Sequence, residues 1–168
     1  TVRALLGKEL MTENGLLTEQ GSSTFWDRST LYALRGIYIA GQADRATEFL
    51  SHYARRRLLG DHVPYPIEAW PEGSQRHLAA ESGLFCRVIT ERLFGTRPTG
   101  LRSFDLTPSM PSGWNRMALR HIRAFENNFD LVIEKQPDGF LRVTLAISGR
   151  NPRAFRLRQG ASLRIKLP

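Results

Sequence analysis

A single cysteine, Cys86, stands in a chain of 168 residues. That excludes an internal disulfide, and the Cys/His spacings of a structural zinc site are missing as well. Its neighbours Phe85 and Val88 put Cys86 on an apolar helical face, the setting of a buried structural thiol rather than a nucleophile. The four histidines, His52, His62, His77 and His121, show no close ligand spacing, so neither a metal nor a cofactor is expected. Long apolar runs are also missing: a polar residue interrupts every apolar segment well before the roughly 18–20 residues of a membrane span. The opening TVRALLGKELM contains no basic leader, long apolar stretch or cleavage motif, and the start of the protein is expected to lie upstream of Thr1.

Acidic residues are few. Asp and Glu number 16 against 24 Lys and Arg, a net charge of +8. Such a balance attracts nucleic acid or anionic polysaccharide when the charges share a face. The arginines are instead scattered through helices and strands, with Arg55-Arg56-Arg57 the only basic run. That run falls at the end of a predicted helix, where cations complement the helix dipole. No RNA- or DNA-reading motif accompanies it, so a solvated, structural role is expected and nucleic acid is not an expected partner. A 41% hydrophobic content supports an ordinary core, in one domain or in two small units.

The apolar period changes near Pro98, from helical before it to two after it. Residues 1–12 suit a terminal helix. Between Phe25 and Ala40 the positions Trp26, Leu31, Leu34, Ile37 and Tyr38 form a broad stripe ended by Gly41, which predicts a helix. Gln42 or Asp44 starts a second helix carrying Ala46, Phe49, Leu50 and Tyr53 and ending at Gly60. Pro64, Pro66, Pro71 and Gly73 forbid a continuous helix from 61 to 76. A third helix is expected from about His77 to Phe94, with Leu78, Glu81, Phe85, Val88, Ile89 and Leu93 in its stripe and Gly95 at the C′ position.

Beyond Pro98 short strands are expected around Phe104 and Leu106, around Met117, Leu119 and His121, and around Phe129, Leu131 and Ile133. The Gln136-Pro137-Asp138-Gly139 turn then leads into Leu141, Val143, Leu145 and Ile147 as a hairpin. Phe155 and Leu157, the Gln159-Gly160 turn, and Leu163, Ile165 and Leu167 read as a final pair of strands. The expected class is α+β, helical over 1–97 and antiparallel β over 98–168. The resulting sheet needs a cover for its apolar face, and the helices are available.

The loop before the third helix is where chemistry is expected. Its segment Tyr65-Pro66-Ile67-Glu68-Ala69-Trp70-Pro71-Glu72-Gly73 sets carboxylates beside aromatic rings, and His77 follows. Aromatic faces pack on the C–H faces of sugars, and glycosidic cleavage commonly uses two carboxyl groups. A surface acid beside a core-anchoring Trp has the same local pattern, so the residues alone leave both readings open.

The run IEAWPEGSQRHLAAESGLFCRVITERLFGTRP, then LRSFDLTPSMPSGWNRMALRHIRAF, then FDLVIEK, resembles the end of the catalytic domain in α-L-rhamnosidase-like glycoside hydrolases of the six-hairpin, α/α-toroid kind. There an E-x-W loop and a His precede a long helix, a glycine-containing exit, a proline-rich turn ending in Trp, and a C-terminal β-domain. The terminal FRLRQGASLRIKLP is similar to the closing strands of such domains, and the likeness covers roughly residues 60–168.

The resemblance implies the last hairpins of an (α/α)6 barrel over 1–97 and a β-domain after it. It implies inverting hydrolysis of terminal sugars, with Glu68 as general base and Trp26, Tyr65, Trp70 and His77 lining the sugar pocket. Asp27 is a weaker sugar contact that serves equally as a helix N-cap, Glu72 is the alternative base, and Glu81 is expected to make a structural hydrogen bond on a helix face. The segment in which such enzymes carry the general acid has no counterpart, so the chain alone is expected to be an inactive fragment. Export to the periplasm or beyond is a family habit. The alternative is a non-catalytic carbohydrate-binding or structural remnant. An open set of barrel helices exposes apolar faces, which predicts self-association.

Overall fold

The computed structural model describes residues 25–57, 69–70 and 79–168. The expected terminal helix over 1–12, the end of the second helix after Arg57 and most of the 61–76 loop lie outside those residues. The class is α+β, and the chain divides into two compact units, Thr1–Leu93 and Phe94–Pro168.

In the first unit, strand β1 (Phe25–Trp26) leads directly into helix α1 (Asp27–Ile39). The helical stripe was expected to include Trp26. Instead the two aromatics pair with β2 (Ala69–Trp70), an exchange of local helix pattern for cross-strand hydrogen bonding. α1 buries Leu31, Leu34, Ile37 and Tyr38. It ends as expected at Gly41, whose φ of +76° lets its N–H reach Tyr38 O while Gln42 N–H reaches Ile37 O, a Schellman closure. Helix α2 (Ala43–Arg57) follows, and Gln42 O takes its first bond from Ala46 N–H at 2.9 Å. Ala46, Phe49, Leu50 and Tyr53 are buried as the stripe predicts. Across the α1–α2 hairpin the hydroxyls of Tyr38 and Thr47 meet at 2.8 Å. Burial pushes the Tyr38 phenol up to about 12, against a smaller opposing effect of the Thr47 hydrogen bond.

Helix α3 (Ala79–Arg87) continues into a π-helical turn over Val88–Leu93. Its inward positions are Glu81, Leu84 and Val88. Cys86 falls on the opposite side of the helical wheel and is exposed, which corrects the expectation of a buried thiol. Glu91 in the π turn accepts hydrogen bonds from Arg35 and Arg87. Burial alone would raise its carboxyl, but the two guanidiniums outweigh that and hold it below its ordinary value.

The second unit holds two antiparallel sheets where one was expected. β3 (Thr96–Gly100), β4 (Ser103–Leu106) and β9 (Leu163–Lys166) form a sheet of order β3-β4-β9. β5 (Arg116–Ala124), β6 (Asn127–Lys135), β7 (Phe140–Ile147) and β8 (Arg153–Arg158) form a four-stranded meander. The last two strands do not pair with each other: β8 pairs with β7 and β9 with β4. The Gln159-Gly160 turn therefore carries the chain from one sheet to the other. Phe129, Leu131, Ile133, Leu141, Val143, Leu145 and Leu157 are buried at alternating positions, each contributing roughly 1.5–3 kcal/mol by leaving water. Phe104 of β4 stacks on Phe129 of β6 with centroids 6.0 Å apart, joining the sheets.

Two local conformations were not anticipated. A bulge between Leu119 and Ile122 interrupts β5, so His121 leaves the apolar alternation. It is exposed, has a φ of +55°, and donates its backbone N–H to Asp130 Oδ1 at 2.8 Å. The β5–β6 hairpin closes on Phe125-Glu126, both with positive φ, where Asn-Gly is the usual pair. Phe125 stacks on Phe104 at 5.8 Å and its carbonyl accepts from Asn127 Nδ2 at 2.7 Å, contacts that offset the strain.

The residues of the rhamnosidase-like resemblance in this unit have structural work. Gly95 has a φ of +69°, and a Cβ there would stand 1.9 Å from Thr107 O, so the position admits no side chain. The Pro111–Trp114 turn closes through Trp114 N–H on Pro111 O at 3.1 Å. Lys135, the last residue of FDLVIEK, donates its ammonium to Pro111 O at 2.9 Å and Ser112 O at 2.6 Å. Gln159 Nε2 donates to Met110 O at 3.1 Å.

Candidate functional site

The β1–β2 ribbon brings together segments more than forty residues apart: Trp26 stands opposite Ala69, and Phe25 opposite Trp70. Two of the five expected site residues, Trp26 and Trp70, therefore share one ribbon. Glu68, Tyr65 and His77 lie outside the described residues, as does Glu72. The ribbon runs into the first turn of α1, and Asp27, the residue after Trp26, is fully buried. Its Oδ2 accepts the Tyr53 hydroxyl at 2.8 Å. Tyr53 in turn packs on Phe85 with ring centroids 5.9 Å apart, so α2 and α3 are both located from this point.

Arg28, one residue further on, reaches across to Glu81 of α3. Its Nε and Nη2 both lie 2.7 Å from Glu81 Oε1. The Glu81 side chain is fully buried, whereas that of Arg28 is 55% exposed. Glu81 thus makes the hydrogen bond expected of it, but its second oxygen, Oε2, is buried with no hydrogen-bond partner. A buried, unsatisfied acceptor costs on the order of 1–3 kcal/mol.

A cleft of about 220 Å³ opens at the same place, lined by Arg28, Tyr32, Glu81, Gly83, Leu84 and Arg87 among others. Tyr32 is 61% exposed, presenting a ring face at the rim. The cleft therefore combines an exposed tyrosine with guanidinium donors, groups of the kind that bind a polyhydroxylated ring, while the Glu81 carboxylate is fully buried and paired with Arg28. Sequence reasoning passed over Arg28, Tyr32 and the cleft. Arg28 and Glu81 are 53 positions apart, and no local periodicity reports a contact over that distance.

No family model matches the chain, and neither a curated protein nor a solved structure was found to be similar to it.

Proposed function

We propose that the chain is the C-terminal portion of an inverting, α-L-rhamnosidase-like glycoside hydrolase, its helical unit supplying the last hairpins of an (α/α)6 barrel and its β unit the C-terminal domain. Glu68 is the general base, orienting a water for attack on the anomeric carbon. Trp26, Tyr65, Trp70 and His77 bound the sugar. The general acid comes from the barrel segment that precedes this chain, with the two carboxyls about 6.5–9.5 Å apart to leave room for the water. The observation that supports this reading best is the pairing of Phe25–Trp26 with Ala69–Trp70. It sets Ala69–Trp70, the last two residues of the E-x-W motif, against the strand that leads into α1, whose first two residues are the buried Asp27 and the cleft-lining Arg28.

A non-catalytic, carbohydrate-binding remnant is favoured by one specific observation: Glu81, the acid lining the cleft, is already committed to Arg28. Hydrolysis of a panel of nitrophenyl glycosides, α-L-rhamnoside included, separates the two. The longest reading frame containing this chain is expected to be active and the isolated chain silent. Silence of both contradicts the hydrolase reading.

A further inference from the structure

The net charge of +8 belongs to one unit. Residues 94–168 hold 13 of the 24 basic residues and 5 of the 16 acidic ones, leaving 11 of each in residues 1–93. The scatter seen along the sequence is therefore a segregation in space. All five acids of the β unit are ion-paired: Asp105 with Arg97 and Arg164, Glu126 with Arg102, Asp130 with Arg120, Glu134 with Arg116 and Asp138 with Arg156. Seven cations remain without an acid. Lys135 is occupied by the carbonyls of Pro111 and Ser112. Of the other six, Arg150, Arg153 and Lys166 converge on one recess of about 300 Å³.

We propose that this recess binds the anionic group of an acidic saccharide, a hexuronate carboxylate or a sugar sulfate. The floor includes Ile147 and Leu167, both nearly buried, which offer a non-polar surface to the C–H face of a pyranose, and Asn151 adds an amide at the wall. Arg153 is held in place because its Nη2 donates to Lys166 O at 2.8 Å and its guanidinium sits 5.7 Å from the Phe155 ring centroid. Its other N–H groups remain to fork onto a carboxylate or sulfate. Arg150 is carried by a turn with Gly149 at a φ of +73°, closed by Arg150 N–H on Ile147 O at 3.0 Å. A recess this size holds a sugar unit or two. It has no aromatic side chain on which a base would stack, which favours saccharide over single-stranded nucleic acid. The choice of saccharide rests on the glycoside hydrolase reading; the choice of an anion does not.

The test is binding of hexagalacturonate, its methyl ester and a heparin-derived hexasaccharide to the full chain, at about 0.15 M salt so that diffuse attraction is screened. The triple variant R150Q/R153Q/K166Q is compared with R123Q/R142Q/R158Q, which removes equal charge elsewhere in the same unit. The acid oligosaccharide is expected to bind at least about tenfold more tightly than its ester, and the recess variant to lose about tenfold while the control loses less than about threefold. Preference for hexagalacturonate identifies carboxylate as the anion, and preference for the heparin fragment that is lost when the fragment is desulfated identifies sulfate. Equal losses in the two variants overturn the proposal, as does a single-stranded DNA of matched charge that binds more tightly than either oligosaccharide and depends on the same three residues. The recess variant retains hydrolysis of uncharged aryl glycosides in the parent protein, whereas failure of the hydrolase reading removes hydrolysis without touching the binding result.

Discussion

The two units place their polar groups in opposite ways. In the helical unit Asp27, Thr30, Thr47 and Glu81 are buried, and charges balance one to one; in the β unit Asp105 is the only buried polar or charged residue and the charge is strongly positive. Burying a carboxylate is costly unless it is paired, so the helical unit carries a cost that a merely structural packing of helices would avoid. That cost is concentrated where the β1–β2 ribbon meets α1 and where the cleft opens. Asp105 apart, the β unit keeps its charges at its surface over an apolar interior, an arrangement suited to attracting a polyanion rather than to acid–base chemistry.

The largest single effect expected from this contrast is in the β unit's backbone. Gly95→Ala puts a methyl inside contact distance of the Thr107 carbonyl and forces a positive φ on alanine, and should cost at least about 3 kcal/mol by urea unfolding. Gly149→Ala has a φ of +73° but open space around its Cβ, and should cost only about 1 kcal/mol. Equal costs would show that the Gly95–Thr107 approach relaxes freely.

Next in size is Arg28→Ala, which leaves the fully buried Glu81 carboxylate without its cation. Because half of Arg28 is in water, the loss should be about 2–3 kcal/mol, less than for a fully buried pair. Adding Glu81→Leu to that variant should restore most of it, since the double change removes the orphaned charge. A double variant no more stable than Arg28→Ala would mean the pair does not organise the site. Tyr53→Phe removes one donor from Asp27 and should cost about 1–2 kcal/mol, measured the same way.

The smallest effect is a pH dependence of the β unit. Hydrogen bonds from Arg164, then Arg97, hold the Asp105 carboxyl at about 2, below its ordinary value of 3.8. A depressed folded-state value means that the contribution is complete above the ordinary value and is lost as pH falls from about 4 toward 2. Melting curves of wild type and Asp105→Asn should therefore converge as pH drops through that window. Curves that stay parallel would show that the Arg97–Asp105–Arg164 ladder is energetically silent.

Much of the fold was legible in the residues because local chemistry decided it. The stripe of Leu31, Leu34 and Ile37, the stop at Gly41 and the Pro137-Asp138-Gly139 turn each act within a few positions, and each appears as expected. What escaped depends on distant partners. Phe25 and Trp26 fit a helical stripe until Ala69 and Trp70 offer them a ladder, and β9 looks like the mate of β8 until Phe104 and Ile165 meet across β4. Phe125 and Glu126 close a hairpin without turn residues because the Phe104 ring rewards that conformation. Of the candidate site, the ribbon unites Trp26 with Trp70, whereas the Arg28–Glu81 pair and the cleft exist only through the packing of α1 on α3.

The central claim is that the helical unit carries the chemistry through Glu68. Its most direct test is hydrolysis of nitrophenyl α-L-rhamnoside and related glycosides by the parent protein with Glu68→Gln, beside wild type and Glu72→Gln. The account predicts a fall of about 10²–10⁴ in kcat for Glu68→Gln alone, with substrate binding retained. Full activity in Glu68→Gln, with or without loss in Glu72→Gln, contradicts it.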